Sequence, residues 1–185
     1  MTFKRTFSIA AAPFLLGLGA VSASASGADV SLGLNDERAS VALGAHINPH
    51  TRLEGEYLYV DSGNHLLQGA MLFTHNAGPH QFEFGPMASR VWMDNSPNGS
   101  MVSLGGKYQL ALGNGLALKA SGFISPSVLS FSGVDGHYQW STAVGYQLNP
   151  NLGFEAGYRQ IHIQYDDHRN RDLEDGFYVG ANFRF

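Results

Sequence analysis

Eight charged residues on one face of strand-like segments are the part of this sequence best placed to do chemistry. Each lies close to a short turn or to the C-terminus, so a sheet closed on itself would gather them into one belt. They are Glu54, Glu56, Glu83, Lys107, Lys119, Glu155, Arg159 and Arg184. Such a belt forms either a network of salt bridges or a charged constriction in a water-filled pore. The sequence leaves both interpretations open, and the presence of both signs predicts weak ion selectivity at most.

Histidines beside the turns form a second candidate group. His46, His50, His75 and His80 could serve a metal site or a pH sensor. Two pairs of histidines on different turns define no ligand geometry, however. The simpler interpretation is that they are polar surface residues at one rim of the sheet. We predict no metal and no cofactor.

The segments that carry these residues alternate between polar and apolar positions with a period of two. Residues 177–185 show the alternation without interruption, and we find no convincing helical periodicity after Gly27. With the less regular stretch 66–75, the pattern predicts about ten antiparallel strands, or eight if one pair is miscounted. Tight turns at 48–50, 76–79, 113–115 and 149–151 alternate with connections at 36–37, 61–65, 94–100, 131–136 and 166–175 that are mostly longer and more polar.

The distribution of charge between the two faces indicates which environment the strands meet. Within the predicted strands we count twelve charged residues, and all except Arg90 lie on the face opposite the large apolar side chains. A basic residue facing lipid costs about 2–4 kcal/mol, so lipid exposure would enforce this segregation. Arg90 follows Pro86, where a β-bulge could shift the alternation. A soluble barrel or sandwich with its apolar face inside would show the same segregation, and it is the alternative.

Three further features favour lipid. Glycine and alanine occupy many positions on the charged face, as a narrow interior requires, and tyrosine and tryptophan cluster near strand ends. The chain ends on Ala181, Phe183 and Phe185 at alternate positions, which resembles the C-terminal strand signal recognised by the bacterial barrel-assembly machinery. We therefore predict an all-β fold over residues 26–185. It is an up-and-down antiparallel transmembrane β-barrel in contact with outer-membrane lipid, including lipopolysaccharide.

The N-terminus has the three parts of a secretory signal peptide. Lys4 and Arg5 precede an apolar stretch at 7–20, and small residues at 22–25 form an A-x-A cleavage site. We predict that residues 1–25 are removed on export, with cleavage after Ala23 as the alternative. The net charge then changes from −4 to about −6, because two cations are lost. A mild acidic balance without a basic face argues against nucleic acid as a partner, and the absence of cysteine excludes disulfides.

The last third of the chain resembles the YfaZ family of bacterial outer-membrane proteins. The resemblance is carried by residues 134–138 (VDGHY), 157–161 (GYRQI), 170–172 (NRD) and 175–183 (DGFYVGANF). Upstream, residues 105–108 (GGKY) fit the same pattern. The resemblance implies an outer-membrane barrel, and it implies no activity and no catalytic residues.

A polar loop near the C-terminus has the composition of a cation site. Counting from Asp166, the sequence lacks the glycine at the sixth position and the acid at the twelfth position that a calcium loop needs. Arg169 and Arg171 would also repel a cation. We expect a solvated loop, in which these two arginines could contact phosphates of lipopolysaccharide.

His162 is the candidate for catalysis, since lipid-cleaving barrels use histidine with a serine or an acid near the outer rim. Asp166, Asp167 and His168 follow it, and Ser130 or Ser132 could lie at the same height. Nothing in the sequence fixes a nucleophile, a base and an orienting group together. We predict a porin-like or structural barrel that is not an enzyme, with passive passage of small solutes or ions if the lumen is open. A lipid-modifying enzyme and a surface-interaction barrel are the alternatives.

Overall fold

The computed structural model describes residues 27–61, 63–94, 97–165 and 170–185. The predicted signal peptide, residues 1–25, lies outside these residues, as do Asp166, Asp167, His168 and Arg169 of the polar loop. The described residues include one short 3₁₀ helix, Ser127–Leu129, and no helix among them is long and apolar enough to span a membrane.

Ten long strands form a closed antiparallel barrel, which confirms the predicted fold class. Neighbours in the chain are neighbours in the sheet, so the topology is up-and-down. A further strand of two residues, Ser130–Phe131, adds to one end of the strand Gly99–Gly113. The strands are β1 (Ala28–Leu34), β2 (Arg38–Asn48), β3 (Thr51–Val60), β4 (His65–Ala77), β5 (His80–Trp92), β6 (Gly99–Gly113), β7 (Leu116–Ser125), β8 (Ser130–Phe131), β9 (Val134–Asn149), β10 (Leu152–Tyr165) and β11 (Arg171–Arg184).

The barrel closes at a seam between its first and last strands. The seam runs from the pair Asp29 and Arg184 to the pair Leu34 and Val179, which makes six paired positions. By contrast, β9 and β10 remain paired along almost their whole length, from Leu152 to Tyr165. The seam is therefore a short stretch of pairing that joins the two ends of the described chain.

The predicted tight turns all connect strands and gather at one rim, here called the short-turn rim. In the turn between β6 and β7, Asn114 has a φ of 53° and Gly115 a φ of 80°. Positive φ at both central residues is the type I′ geometry, whose twist matches that of paired strands. The longer connections gather at the opposite rim, the long-loop rim. There β11 begins at Arg171, so the polar loop predicted for 166–175 is shorter than expected.

The outer wall of the barrel is apolar. Phe84, Ile124, Phe177 and Val179 point away from the interior, each with at least 60% of its surface exposed. A soluble barrel buries such side chains inside, whereas a transmembrane barrel presents them to lipid. The wall thus excludes the soluble alternative.

Arg90 corrects one detail of the sequence prediction. Pairing between β5 and β6 runs without a shift from Pro86, opposite Leu104, to Arg90, opposite Ser100. The expected β-bulge after Pro86 is therefore wrong. Arg90 lies on the outer wall near the long-loop rim and is exposed, so its position along the strand, rather than a bulge, makes its charge tolerable.

The interior changes character along the barrel axis. Inward positions near the short-turn rim are charged, as at Arg52 and Glu54 on β3, but Leu58 and Val60 occupy the same face closer to the long-loop rim. Ten such side chains, each at most 6% exposed, form one cluster that we call the apolar plug. Its members are Leu58, Val60, Leu66, Val91, Met101, Val134, Ile161, Ile163, Tyr165 and Leu173.

Gly85 allows β5 to approach β4 closely, and this gives a test of the fold. A Cβ atom at Gly85 would meet the backbone carbonyl oxygen of Met71, which cannot move as a side chain can. We expect Gly85→Ala to lower the free energy of unfolding by about 1–3 kcal/mol, as overpacking does. Urea titration of the refolded barrel, followed by its heat-dependent gel mobility, measures the loss.

Gly122 provides the matched control for this substitution. It lies in β7, and no atom lies within 4 Å of the position its Cβ would take. Gly122→Ala should leave the urea midpoint nearly unchanged. Equal midpoints for the two variants would show that close approach at Gly85 does not limit stability.

Candidate functional site: the charged lumen

A cavity of about 740 Å³ occupies the half of the lumen nearer the short-turn rim. All eight residues of the predicted charge belt line it, together with Asp29 and Arg52. Gly113 and Gly115 line its end at the rim, so the cavity reaches the short-turn side. We call this cavity the lumenal cup.

Lys107 and Glu54 are paired across the lumen. The Lys107 Nζ atom lies 2.5 Å from the Glu54 Oε1 atom, although β6 and β3 are separated by two strands in the sheet. Arg52 extends the network along the wall, with its guanidinium 3.6 Å from Glu54 and 2.7 Å from Asp29. These four side chains form an alternating chain of charges whose members neutralise one another.

Arg159 is held between two carboxylates. Its Nη1 atom lies 2.5 Å from Glu56 on β3, and its Nε atom lies 2.5 Å from Glu174 on β11. The contact with Glu56 crosses the lumen, and the Glu174 side chain is only 2% exposed. The Asn35 side-chain amide, in the β1–β2 connection, donates a further hydrogen bond of 3.4 Å to Glu174.

Glu174 was missed by the sequence analysis because it fell within the segment predicted as a loop. Glu174 pairs with Ile161 in the same register as Asp175 and Gly176, so the strand alternation continues to it and directs it inward, and the register shifts only beyond it, at His162 and Asp172. The available signal was Asp175-Gly176-Phe177-Tyr178, whose strand pattern can be extended back by one residue to place Glu174 inside.

Lys119 belongs to a third, more solvated pair. Its Nζ atom lies 2.7 Å from Glu155, which also accepts a hydrogen bond of 3.1 Å from the Tyr178 hydroxyl. The side chains of Lys119 and Glu155 are 37% and 22% exposed. Lys107 and Lys119 flank the same short turn, where their like charges would repel each other, and the structure provides an acid for each.

Glu83 and Arg184 complete the belt through less direct contacts. Glu83 is buried, accepts a hydrogen bond of 2.9 Å from Gln81, and lies opposite Lys107 in the β5–β6 register. Arg184 lies opposite Asp29 at the seam. The cup therefore holds both signs of charge in close proximity and presents no face of a single sign.

The cup ends at a second layer of contacts across the lumen. The Gln68 side chain donates a hydrogen bond of 2.8 Å to Gln139, joining β4 to β9. Gln139 in turn lies 3.7 Å from the sulfur of Met87 on β5. Beyond this layer lies the apolar plug, so in the part of the chain that the structure describes the lumen is open at one end and filled at the other.

The candidate for catalysis, His162, lies outside the lumen. His162 is on the outer wall, where its Nδ1 atom lies 2.6 Å from Asp172 and its ring stacks on Tyr138 at 4.8 Å between centroids. Ser130 bonds within its own connection, to Ser125 and to the carbonyl of Pro126. The structure thus brings an acid to His162 and gives it no serine partner among the described residues.

The turn histidines are dispersed. His46 lines the cup, whereas His80 lies outside and shares a hydrogen bond of 2.7 Å with the Tyr108 hydroxyl. His50 is in a turn, and His75 is exposed near the end of β4. Over the described ranges, no three His, Asp or Glu side chains are grouped closely enough to hold a metal ion.

The C-terminal residues of the predicted assembly signal lie on the last strand and just after it. Phe183 and Phe185 are 39% and 77% exposed. The Phe185 amide donates a hydrogen bond of 2.9 Å to the carbonyl of Ala28 across the seam. Ala181 lies opposite Leu32 on β1.

A closed barrel with an apolar outer wall and a polar cup inside defines a transmembrane β-barrel of the outer-membrane type. A comparison of the sequence with protein families identifies the family of this barrel. The family model described as YfaZ precursor matches residues 5–185, and the chain belongs to the YfaZ family. Among curated proteins, no sequence matches the chain.

Several solved structures have a similar overall shape. The NanC porin is 9% identical, with a TM-score of 0.48 over 85% of this chain and 100% of its own. The KdgM porin is 12% identical, with a TM-score of 0.46 over 86% of this chain and 99% of its own. The outer membrane channel DcaP of Acinetobacter baumannii is 9% identical, with a TM-score of 0.46 over 84% of this chain, which spans only 54% of DcaP.

The pairing of Arg159 can be tested through stability. Arg159→Gln leaves the Glu56 and Glu174 carboxylates without their shared cation, and removing one partner of a buried ion pair costs about 3–5 kcal/mol. We expect a loss of this size in the free energy of unfolding, measured by urea titration of the refolded barrel. The double variant Glu56→Gln, Arg159→Gln should recover part of it.

Lys119→Gln is the control for this test because it also removes one lumenal cation. Its pair is partly solvated, so the loss should be below about 1 kcal/mol, as for surface pairs. If Lys119→Gln destabilised the barrel as much as Arg159→Gln does, burial of the Arg159 cluster could not explain the effect.

Proposed function

We propose that this protein is a porin-like barrel that is closed as folded. Small solutes or ions enter its lumenal cup from the short-turn side, and passive passage requires the apolar plug to move. The observation that carries this proposal is the plug itself, whose ten members pack together in the half of the lumen nearer the long-loop rim.

The plug resists passage for two physical reasons. Leu66, Val91 and Ile163 have no measurable exposure, so the plug leaves no space for a water molecule around them. A hydrated ion would also lose its water on entering an apolar constriction, and that desolvation is costly.

The charge belt supports the cup more than it selects solutes. Most of its charges are engaged with one another, as in the Lys107–Glu54 and Arg159–Glu56 pairs across the lumen. These pairs brace opposite walls. Because anions and cations alternate around the cup, an open form of the barrel would show weak ion selectivity.

The location in the outer membrane and the route to it form part of the proposal. Residues 1–25 act as a signal peptide that is cleaved on export, and the barrel occupies residues 26–185. Ala181, Phe183 and Phe185 act as the signal for the barrel-assembly machinery. Short turns face the periplasm in such barrels, so the lumenal cup opens to the periplasm and the long-loop rim lies outside.

A lipid-modifying enzyme is the second candidate, favoured by the pair of His162 and Asp172. An imidazole oriented by a carboxylate could act as a general base near the outer membrane surface. The absence of a serine partner in the described chain argues against it, and we propose that the barrel is not an enzyme. Lipid extracts of cells that overproduce the wild type should match those of cells that overproduce His162→Ala.

Single-channel recording in a planar bilayer tests the closed state. Wild-type protein, confirmed as folded by heat-dependent gel mobility, should show no steps beyond those of a mock-refolded sample. The double variant Leu66→Ala, Ile163→Ala removes plug volume from β4 and β10 and should show discrete steps. Frequent steps in the wild type, equal to those of the variant, would refute the closed lumen.

Two further variants serve as controls for the recording. Phe177→Ala, Val179→Ala removes similar volume from the lipid-facing wall and should remain silent, since both side chains are outside the lumen. In the plug variant, adding Lys107→Gln should shift the reversal potential towards cation preference, because that lysine lines the cup.

A further inference from the structure

Arg90 is a cation on the lipid-facing wall that the proposed function does not use. It is exposed on β5, and no carboxylate of the described chain forms an ion pair with it. An unpaired arginine in the hydrocarbon layer costs about 2–4 kcal/mol, so its depth in the membrane matters.

The depth of Arg90 follows from its position on the strand. β5 begins at His80 at the short-turn rim, ten residues before Arg90. With a rise of about 3.4 Å per residue and a tilt of about 40°, Arg90 lies about 26 Å above that rim. The apolar band of such barrels is about 25 Å tall, which places the guanidinium at the outer headgroup level.

Neighbouring side chains at this level form a polar and aromatic patch. The Arg90 guanidinium donates a hydrogen bond of 2.7 Å to the Ser100 hydroxyl and lies 5.9 Å from the centre of the Trp92 ring. His65 is directly opposite Trp92 in the β4–β5 register. The His65 ring is hydrogen-bonded to the Tyr57 hydroxyl at 2.7 Å.

We propose that this patch binds a phosphate group of lipopolysaccharide, with Arg90 as the principal ligand. A guanidinium has five N–H donors and matches phosphate oxygens in a bidentate geometry. Ser100 and Trp92 orient the side chain, and His65 lies opposite Trp92 on the neighbouring strand. The inference rests on the proposed orientation, because only then does the long-loop rim lie in the outer leaflet, where the glycolipid is found.

Native mass spectrometry of the full mature barrel in maltoside micelles measures this binding directly. The probe is purified lipid A carrying both of its phosphates, added over a range of concentrations to protein of confirmed fold. We expect Arg90→Gln to weaken binding about tenfold, which corresponds to about 1.4 kcal/mol. Lipid A stripped of its phosphates should bind the wild type as weakly as intact lipid A binds the variant.

Lys119→Gln is the matched control, since it removes one cation that lines the cup and does not lie on the lipid-facing wall. It should bind lipid A as the wild type does. Equal weakening by both substitutions would show a general attraction between charges and no specific site. Unchanged binding by Arg90→Gln would refute the proposed site. If phosphatidylglycerol bound as tightly, with the same dependence on Arg90, lipopolysaccharide would be the wrong ligand.

This experiment is independent of the state of the lumen. The plug remains intact in every variant, and the readout contains no conductance. A barrel that proved open in planar bilayers could still bind lipid A through Arg90, and a closed barrel could fail to bind it. The two proposals therefore succeed or fail separately.

Discussion

Closing ten strands into a barrel brings the inward charged side chains together in a narrow space, where they must satisfy one another. The Lys107–Glu54 pair joins walls that are not neighbours in the sheet, and Arg159 links β3, β10 and β11 through two carboxylates. Unpaired charges in such an interior are costly, so the positions of these residues depend on one another. The cup keeps its shape because side chains from opposite walls meet in its interior and form ion pairs there.

The division of the lumen into a polar cup and an apolar plug gives each half a different role. Paired charges tolerate water, so the half near the short-turn rim can stay solvated without losing stability. The plug gains its stability from the burial of Leu66, Ile163 and their neighbours, as a soluble core does. The barrel thus combines a membrane protein's outer wall with a small interior core of the kind found in water-soluble proteins.

The fold could be predicted from the sequence because alternation and turn chemistry are local signals. The ending at 177–185 and the turn at 113–115 show both plainly. The plug could not be predicted in this way, because the run Tyr57-Leu58-Tyr59-Val60 has large, mainly apolar side chains on both faces. Such a run does not indicate which of its side chains face the lumen. The ion-pair partners of the charge belt could not be predicted from the sequence either. Glu54 meets Lys107 only because the sheet curves and closes, and Glu174 meets Arg159 only because β11 begins at Arg171, inside the segment predicted as a loop.

The seam between β1 and β11 has a consequence for the order of assembly. Neighbouring strands elsewhere in the barrel are joined by a turn or loop, whereas the seam pairs Asp29 with Arg184, from opposite ends of the described chain. Contacts so distant in sequence carry a large entropy cost and form late. Until they form, β1 and β11 present open edges that can pair with another protein's strand. Formation of the six pairs of the seam therefore closes the last two open edges of the sheet.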